Sequence, residues 1–132
     1  CAVANDGLLQ HPYVVDHVEN VNGAVIKRFT SSGSTRMMSE QEASILQGLM
    51  REVVETGTGT KLLDKPYTAA GKTGSAEYNS ARDSHAWFTG FAPVADPEIC
   101  VTVIIEGAGS GGDYAVPMAR RVFDAYFEGR SE

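Results

Sequence analysis

The chain has 132 residues, of which 42% are hydrophobic and 21% charged, ordinary values for a globular protein and enough chain for one core rather than two. Eleven Lys and Arg against seventeen Asp and Glu leave a net charge of −6 with no basic run, so no nucleic-acid partner is expected, since phosphate backbones are held by clustered cations. No apolar stretch approaches the ~20 residues that cross a bilayer, and no leader pattern is present.

Two cysteines, Cys1 and Cys100, cannot build a disulfide framework, and they read as a terminal thiol and a core thiol. The opening Cys1-Ala2-Val3-Ala4-Asn5 has no Met and reads as a cut within a longer polypeptide.

Between 12 and 29, Tyr13-Val14-Val15 with Val18, and Ala24-Val25-Ile26, are β-prone stretches around Asn22-Gly23, whose composition predicts a hairpin with a type I′ turn. The polar segment 30–35 reads as a surface loop. Ser39-Glu40-Gln41-Glu42 has capping-box spacing and predicts a helix start. Leu46, Leu49, Met50, Val53 and Val54 follow on one apolar face, and Gly57 suits a left-handed helix end.

Segments 67–77, 86–92 and 99–106 read as three strands, separated by a polar stretch at 78–85 and an Asp96-Pro97 turn. Short links predict an antiparallel meander. Ile99, Val101, Val103 and Ile105 share one face, and Trp87, Phe88 and Phe91 are expected in the core. A glycine-rich linker at 107–112 leads to a closing helix over 115–127, where Ala119, Val122, Phe123, Tyr126 and Phe127 keep helical spacing and Pro117 suits the first turn. Hairpin, helix, meander and helix make an α+β fold, an antiparallel sheet flanked by helices.

Several chemical readings fail on spacing. Gly71-Lys72-Thr73 could end a phosphate loop, but that motif needs Gly at 66, where Pro66 stands, and a helix after Thr73. Gly57-Thr58-Gly59-Thr60 follows a helix rather than a strand, so it reads as helix end and loop. His11, His17 and His85 have no metal-ligand spacing; no metal or cofactor is expected.

Lys72 to Ser75 are different. On a strand, alternation puts Thr73 and Ser75 on one face and Lys72 and Gly74 on the other. Two hydroxyl donors with an ammonium nearby, and a glycine that leaves the far side uncrowded, suit a carboxylate ligand. Lys72-Thr73-Gly74 resembles the third active-site motif of the penicillin-binding proteins, the D-alanyl-D-alanine transpeptidases of cell-wall synthesis. The resemblance continues in order through Met50-Arg51-Glu52-Val53-Val54, Gly57-Thr58-Gly59, residues 70–77, Trp87-Phe88-Thr89-Gly90-Phe91-Ala92-Pro93 and 103–106. Class D β-lactamases and β-lactam sensor domains share parts of it, whereas Phe91-Ala92-Pro93 and Glu106-Gly107 look more like class B transpeptidases.

The resemblance implies a partial β-lactamase/transpeptidase-like fold, the C-terminal portion of a transpeptidase domain. Residues 1–37 would be its N-terminal hairpin segment, and 38–132 its helix, Lys-Thr-Gly meander and C-terminal helix. It also implies roles. Lys72 would place positive charge beside a second-motif hydroxyl, Thr73, Gly74 and Ser75 would bind the carboxylate of a peptidoglycan stem peptide or β-lactam, and the Ser75 amide would be half an oxyanion hole. The family nucleophile sits in Ser-x-x-Lys and a second motif is Ser-x-Asn; neither pattern occurs here. The chain alone is therefore expected to perform no acyl transfer and to work with an N-terminal part of the domain, on the extracytoplasmic face of a membrane. Self-association of the sheet is a further expectation. The alternatives are a non-catalytic β-lactam or peptide sensor, a class D β-lactamase-like domain, and a structural domain unrelated to cell walls.

Overall fold

The computed structural model describes residues 1–77 and 83–129; most of the polar stretch expected at 78–85 lies outside them. Two small ladders come first. β1 (Leu8–Gln10) pairs antiparallel with β4 (Ser34–Arg36), and between them β2 (His17–Glu19) pairs with β3 (Val25–Arg28). The expected hairpin is present, but its turn is not type I′. Gly23 takes a positive φ of 79° and Asn22 does not. Asn20 closes the loop, its carbonyl accepting from Gly23 N–H at 3.0 Å and its side-chain oxygen from Ala24 N–H at 3.0 Å. A single left-handed residue after a tight turn needs glycine at that one place.

Tyr13, Val14 and Val15, expected in a strand, are exposed and outside the ladder, because the β2 register with β3 begins at His17. Residues 34–36 form β4 rather than surface loop. Their pairing with Leu8–Gln10, far earlier in the chain, satisfies backbone groups that local turn propensity would have left to solvent.

α1 (Glu40–Glu55) starts as expected: Glu42 N–H donates to Ser39 Oγ at 3.2 Å, and Ser39 N–H donates to Glu42 Oε2 at 2.8 Å. Such a cap is worth about 1 kcal/mol. The apolar face is only partly covered. Val54 and Ala43 are buried and Met50 and Val53 half-buried, while Leu46 and Leu49 are exposed. Nor does Gly57 end the helix in a left-handed conformation; Thr56 is the cap and Gly57 has no positive φ. Glycine serves closeness there, since a Cβ on Gly57 would lie 2.9 Å from the Val53 carbonyl oxygen, and one on Gly59 3.2 Å from it.

β5 (Ala70–Ala76), β6 (His85–Ala92) and β7 (Ile99–Ile105) form the expected antiparallel meander in that order. Strand parity divides the residues. Phe88 and Val101 face the main core, joined by Val116, Ala119 and Phe123 of α2 (Val116–Glu128) and by Val54 and Leu62. Phe91 and Ala70 face the other way, against Ala4 and Met50. Trp87, expected in the core, lies on this second face and is 37% exposed. Cys100, expected as a core thiol, is exposed on the same face, because it alternates with the buried Val101. Of the α2 stripe, Phe123 and Ala119 are buried but Val122 is not.

α2 is tied to the segment before β5 by one carboxylate. Asp124 accepts from Tyr67 OH at 2.7 Å and Lys65 Nζ at 2.8 Å, with Arg120 Nε at 3.6 Å. The Tyr67 ring meanwhile stacks on Phe127 at 4.7 Å. Burial by itself would raise the Asp124 pKa, yet the bonds from Lys65 and Tyr67 and the nearby charges leave it below the usual carboxylate value. The sign of the linkage follows. A carboxyl whose folded pKa lies below its unfolded value of about 3.9 stabilises the fold above that pH and loses the contribution as pH falls through the folded pKa. Asp124→Asn should therefore lower stability at neutral pH by roughly 1–3 kcal/mol and flatten the fall in melting temperature between pH 5 and 2. A variant with an unchanged acid limb would show that Asp124 does not carry this linkage.

Candidate active site

The register of β5 on β6 sets where each side chain of the Lys-Thr-Gly strand points. Lys72 pairs with Thr89, Thr73 with Phe88, Gly74 with Trp87 and Ser75 with Ala86. Lys72 and Gly74 therefore share the face of Thr89, Thr102 and Trp87, and Thr73 and Ser75 share the other, as expected from alternation. β5 is also the outer strand of its sheet, so among the described residues one edge of this motif has no ladder partner.

The two hydroxyls are held from behind by two glycine-rich connections. The first is the return from α1. Gly57 N–H and Gly59 N–H both donate to the Val53 carbonyl, at 3.1 and 2.9 Å, which folds the chain back on the helix end and leaves Thr58 Oγ1 at 2.6 Å from Thr73 Oγ1. The second is the link from β7 to α2. Gly111 N–H donates to Ser75 Oγ at 3.4 Å, and a Cβ on Gly111 would strike the Trp87 carbonyl and come within 2.6 Å of the Gly74 carbonyl oxygen. Only glycine allows that approach.

Charges fasten the second connection to the first. Lys61 Nζ donates to the Gly112 carbonyl at 2.9 Å and to Asp113 Oδ1 at 2.8 Å. The Lys61 ammonium and the Ser110 hydroxyl hold the Asp113 carboxyl below its ordinary pKa. At the far end of the link, Gly109 N–H donates to the Ser84 carbonyl at 2.7 Å and Ser84 Oγ to the Gly109 carbonyl at 3.1 Å. Gly107 N–H donates to His85 Nδ1 at 3.0 Å.

Lys72 is exposed, and its Nζ donates to the Thr73 carbonyl at 2.7 Å. A cavity of about 210 Å³ opens on its face of the sheet, between Met50, Thr89, Phe91 and Cys100. So all four sequence-expected residues, Lys72, Thr73, Gly74 and Ser75, sit on one accessible strand. The Lys72 side chain leaves β5 on the face opposite the two hydroxyls, and its ammonium turns back to the Thr73 carbonyl. Among the described residues no three His, Cys, Asp or Glu side chains cluster as a metal site.

Thr58 belongs to a motif that carries the resemblance, but its sequence reading as helix end and loop gave it no role at the site. Its signal was the pair of flanking glycines, Gly57 and Gly59, which mark a tight backbone path rather than a flexible one.

Because Gly111 packs on backbone atoms, Gly111→Ala should cost roughly 1–3 kcal/mol of stability by overpacking and move the amide resonances of Gly74 and Ser75. Unshifted resonances in a fully stable variant would mean that the loop does not bear on the strand.

The chain is similar to known proteins over nearly its whole length. The sequence profile described as "Penicillin binding protein transpeptidase domain" matches residues 1–124. The chain is 32% identical over 149 aligned residues to the peptidoglycan D,D-transpeptidase MrdA of Haemophilus influenzae, the alignment covering 97% of the chain and 22% of that protein. The D,D-transpeptidase domain of a peptidoglycan glycosyltransferase from Eggerthella lenta superposes with a TM-score of 0.85 at 33% identity, over 96% of this chain and 30% of the other. Penicillin-binding protein A from M. tuberculosis, solved as a ceftriaxone acyl-enzyme complex, gives 0.83 at 31% identity, over 94% and 29%. The chain thus spans less than a third of each of these relatives, and with a profile match over nearly all of its length it belongs to the penicillin-binding protein transpeptidase domain family.

Proposed function

We propose that this chain supplies the carboxylate-binding strand of a serine D,D-transpeptidase that cross-links peptidoglycan. The observation that carries the reading is the pair of hydroxyls on an outer strand whose oxygens are engaged from behind, Thr73 by Thr58 and Ser75 by Gly111 N–H. A hydroxyl so held can still turn a proton outward, and a stem peptide ending in a D-alanine carboxylate would accept both protons. The peptide would add as an extra strand along the β5 edge, backbone to backbone. Lys72, one residue along, adds positive charge. β-Lactams, which carry a carboxylate in the equivalent place, would compete for the same donors.

In such a reaction a serine hydroxyl attacks the carbonyl of the penultimate D-alanine, and negative charge develops on its oxygen. The Ser75 backbone N–H is proposed as one of two donors to that oxygen, and a donor of this kind typically contributes about 10²–10³ in rate. The serine and its lysine base come from residues outside this sequence, since neither Ser-x-x-Lys nor Ser-x-Asn occurs in it. The exposed side chains of Trp87 and Ile104 and the outer edge of β7 would pack against the N-terminal part of the domain, or in its absence against a second copy. The reaction is placed on the extracytoplasmic face of a membrane; no helix among the described residues is long and apolar enough to cross one.

Titration of the isotope-labelled chain with N-acetyl-D-alanyl-D-alanine should shift the amide resonances of Lys72 to Ser75 before any others. A Lys72→Ala variant should bind about tenfold more weakly, the loss of one charge-assisted contact. Benzylpenicillin should leave the intact mass unchanged. Shifts confined to other surfaces would contradict the carboxylate reading, and a stoichiometric penicillin adduct would contradict the assignment of the nucleophile to residues outside this sequence.

A further inference from the structure

Thr58 Oγ1 and Thr73 Oγ1 are 2.6 Å apart, a short contact for two hydroxyls. Each hydroxyl has one proton, so one proton lies between the oxygens and the other is left for a third group. An anion has no proton to give. If a carboxylate is bound at Thr73, Thr73 must donate to it, and the proton in the threonine pair must then belong to Thr58.

We propose that Thr58 is a positioning residue: it donates to Thr73 Oγ1 and so aims the Thr73 proton at the substrate carboxylate. This deepens, and rests on, the reading of Thr73 as a carboxylate ligand. The backbone around Thr58 is built to hold it there. Gly57 and Gly59 both anchor on the Val53 carbonyl, and a Cβ on Gly59 would lie 3.2 Å from the Val54 side chain. On the far side Gly112 leaves room for the Thr58 carbonyl, which would lie 2.9 Å from a Cβ at that position. Three glycines thus bracket one threonine, and the Lys61 ammonium fixes the Gly112 carbonyl at 2.9 Å. Polarisation along the pair also strengthens the outward donor, because a hydroxyl that accepts one hydrogen bond donates a better one.

The test compares affinity for N-acetyl-D-alanyl-D-alanine with affinity for its C-terminal amide. The ratio isolates what the carboxylate contributes. Thr58→Val keeps the shape and removes the hydroxyl; it should lower the acid-to-amide preference about fivefold, the size of one ordinary hydrogen bond, while leaving affinity for the amide nearly unchanged. Thr58→Ser restores a hydroxyl and should restore the preference. A preference unchanged in Thr58→Val overturns the role of Thr58 and leaves Thr73 as a ligand. No preference in the unsubstituted chain overturns the carboxylate reading itself, and the role of Thr58 with it. A measurement that needs no variant is the hydroxyl proton of Thr58 in the dipeptide-bound chain, which should exchange slowly with solvent and lie close to the Thr73 side chain. A rapidly exchanging Thr58 hydroxyl overturns the proposal.

Discussion

The Phe88 ring lies across two glycines that face each other in neighbouring strands, and the position of the Lys-Thr-Gly motif depends on that contact. Gly71 is paired with Gly90. A Cβ on Gly71 would collide with the Phe88 ring, and one on Gly90 would come within 2.6 Å of it and 2.5 Å of the Ala70 carbonyl oxygen. Phe88 itself has no exposed surface. The ring fits only where both side chains are missing, so it pins the register of β5 on β6. In a sheet, a slip of one residue exchanges the two faces. Here it would turn the Lys72 side of β5 onto the face that Phe88 buries in the main core, and Thr73 and Ser75 toward the opposite face. The hydroxyl pair Thr89 and Thr102, at 2.9 Å on the Lys72 face, continues the same row onto β7.

Once the register is set, the two glycine-rich connections act on a fixed strand. One descends from α1 and brings Thr58 to Thr73; the other climbs from β7 toward α2 and brings Gly111 to Ser75. They are joined by Lys61, whose ammonium binds the Gly112 carbonyl and the Asp113 carboxylate, and whose carbonyl accepts from Arg120 of α2 at 3.3 Å. Asp124, one turn further along α2, gathers Tyr67 and Lys65 from the approach to β5. Packing thus fixes the strand's register, and hydrogen bonds along both connections decide what stands behind its hydroxyls.

Local chemistry was the part legible in the sequence. The Ser39 cap, the meander and the face assignment of Lys72 against Thr73 and Ser75 follow from spacing alone, because each is settled within a few residues. Contacts between distant segments were not legible. β4 forms because residues 8–10 supply its partner, and Thr58 joins the site because a loop returns to β5. Burial was misread for a related reason. Leu49 and Trp87 have apolar side chains on regular elements, but the faces they occupy have little packed against them among the described residues. Cys100 follows the parity of β7 outward despite its apolar neighbours.

The most direct test of β5 as a strand-adding, carboxylate-binding edge is amide hydrogen exchange across residues 70–76, with and without N-acetyl-D-alanyl-D-alanine. Alternate amides of the strand, those pointing away from β6, should be weakly protected in the free chain and become slow to exchange when the dipeptide is present, while amides of α2 stay as they were. Protection that appears elsewhere, or edge amides that exchange equally fast with saturating dipeptide, would contradict the placement of the ligand along β5.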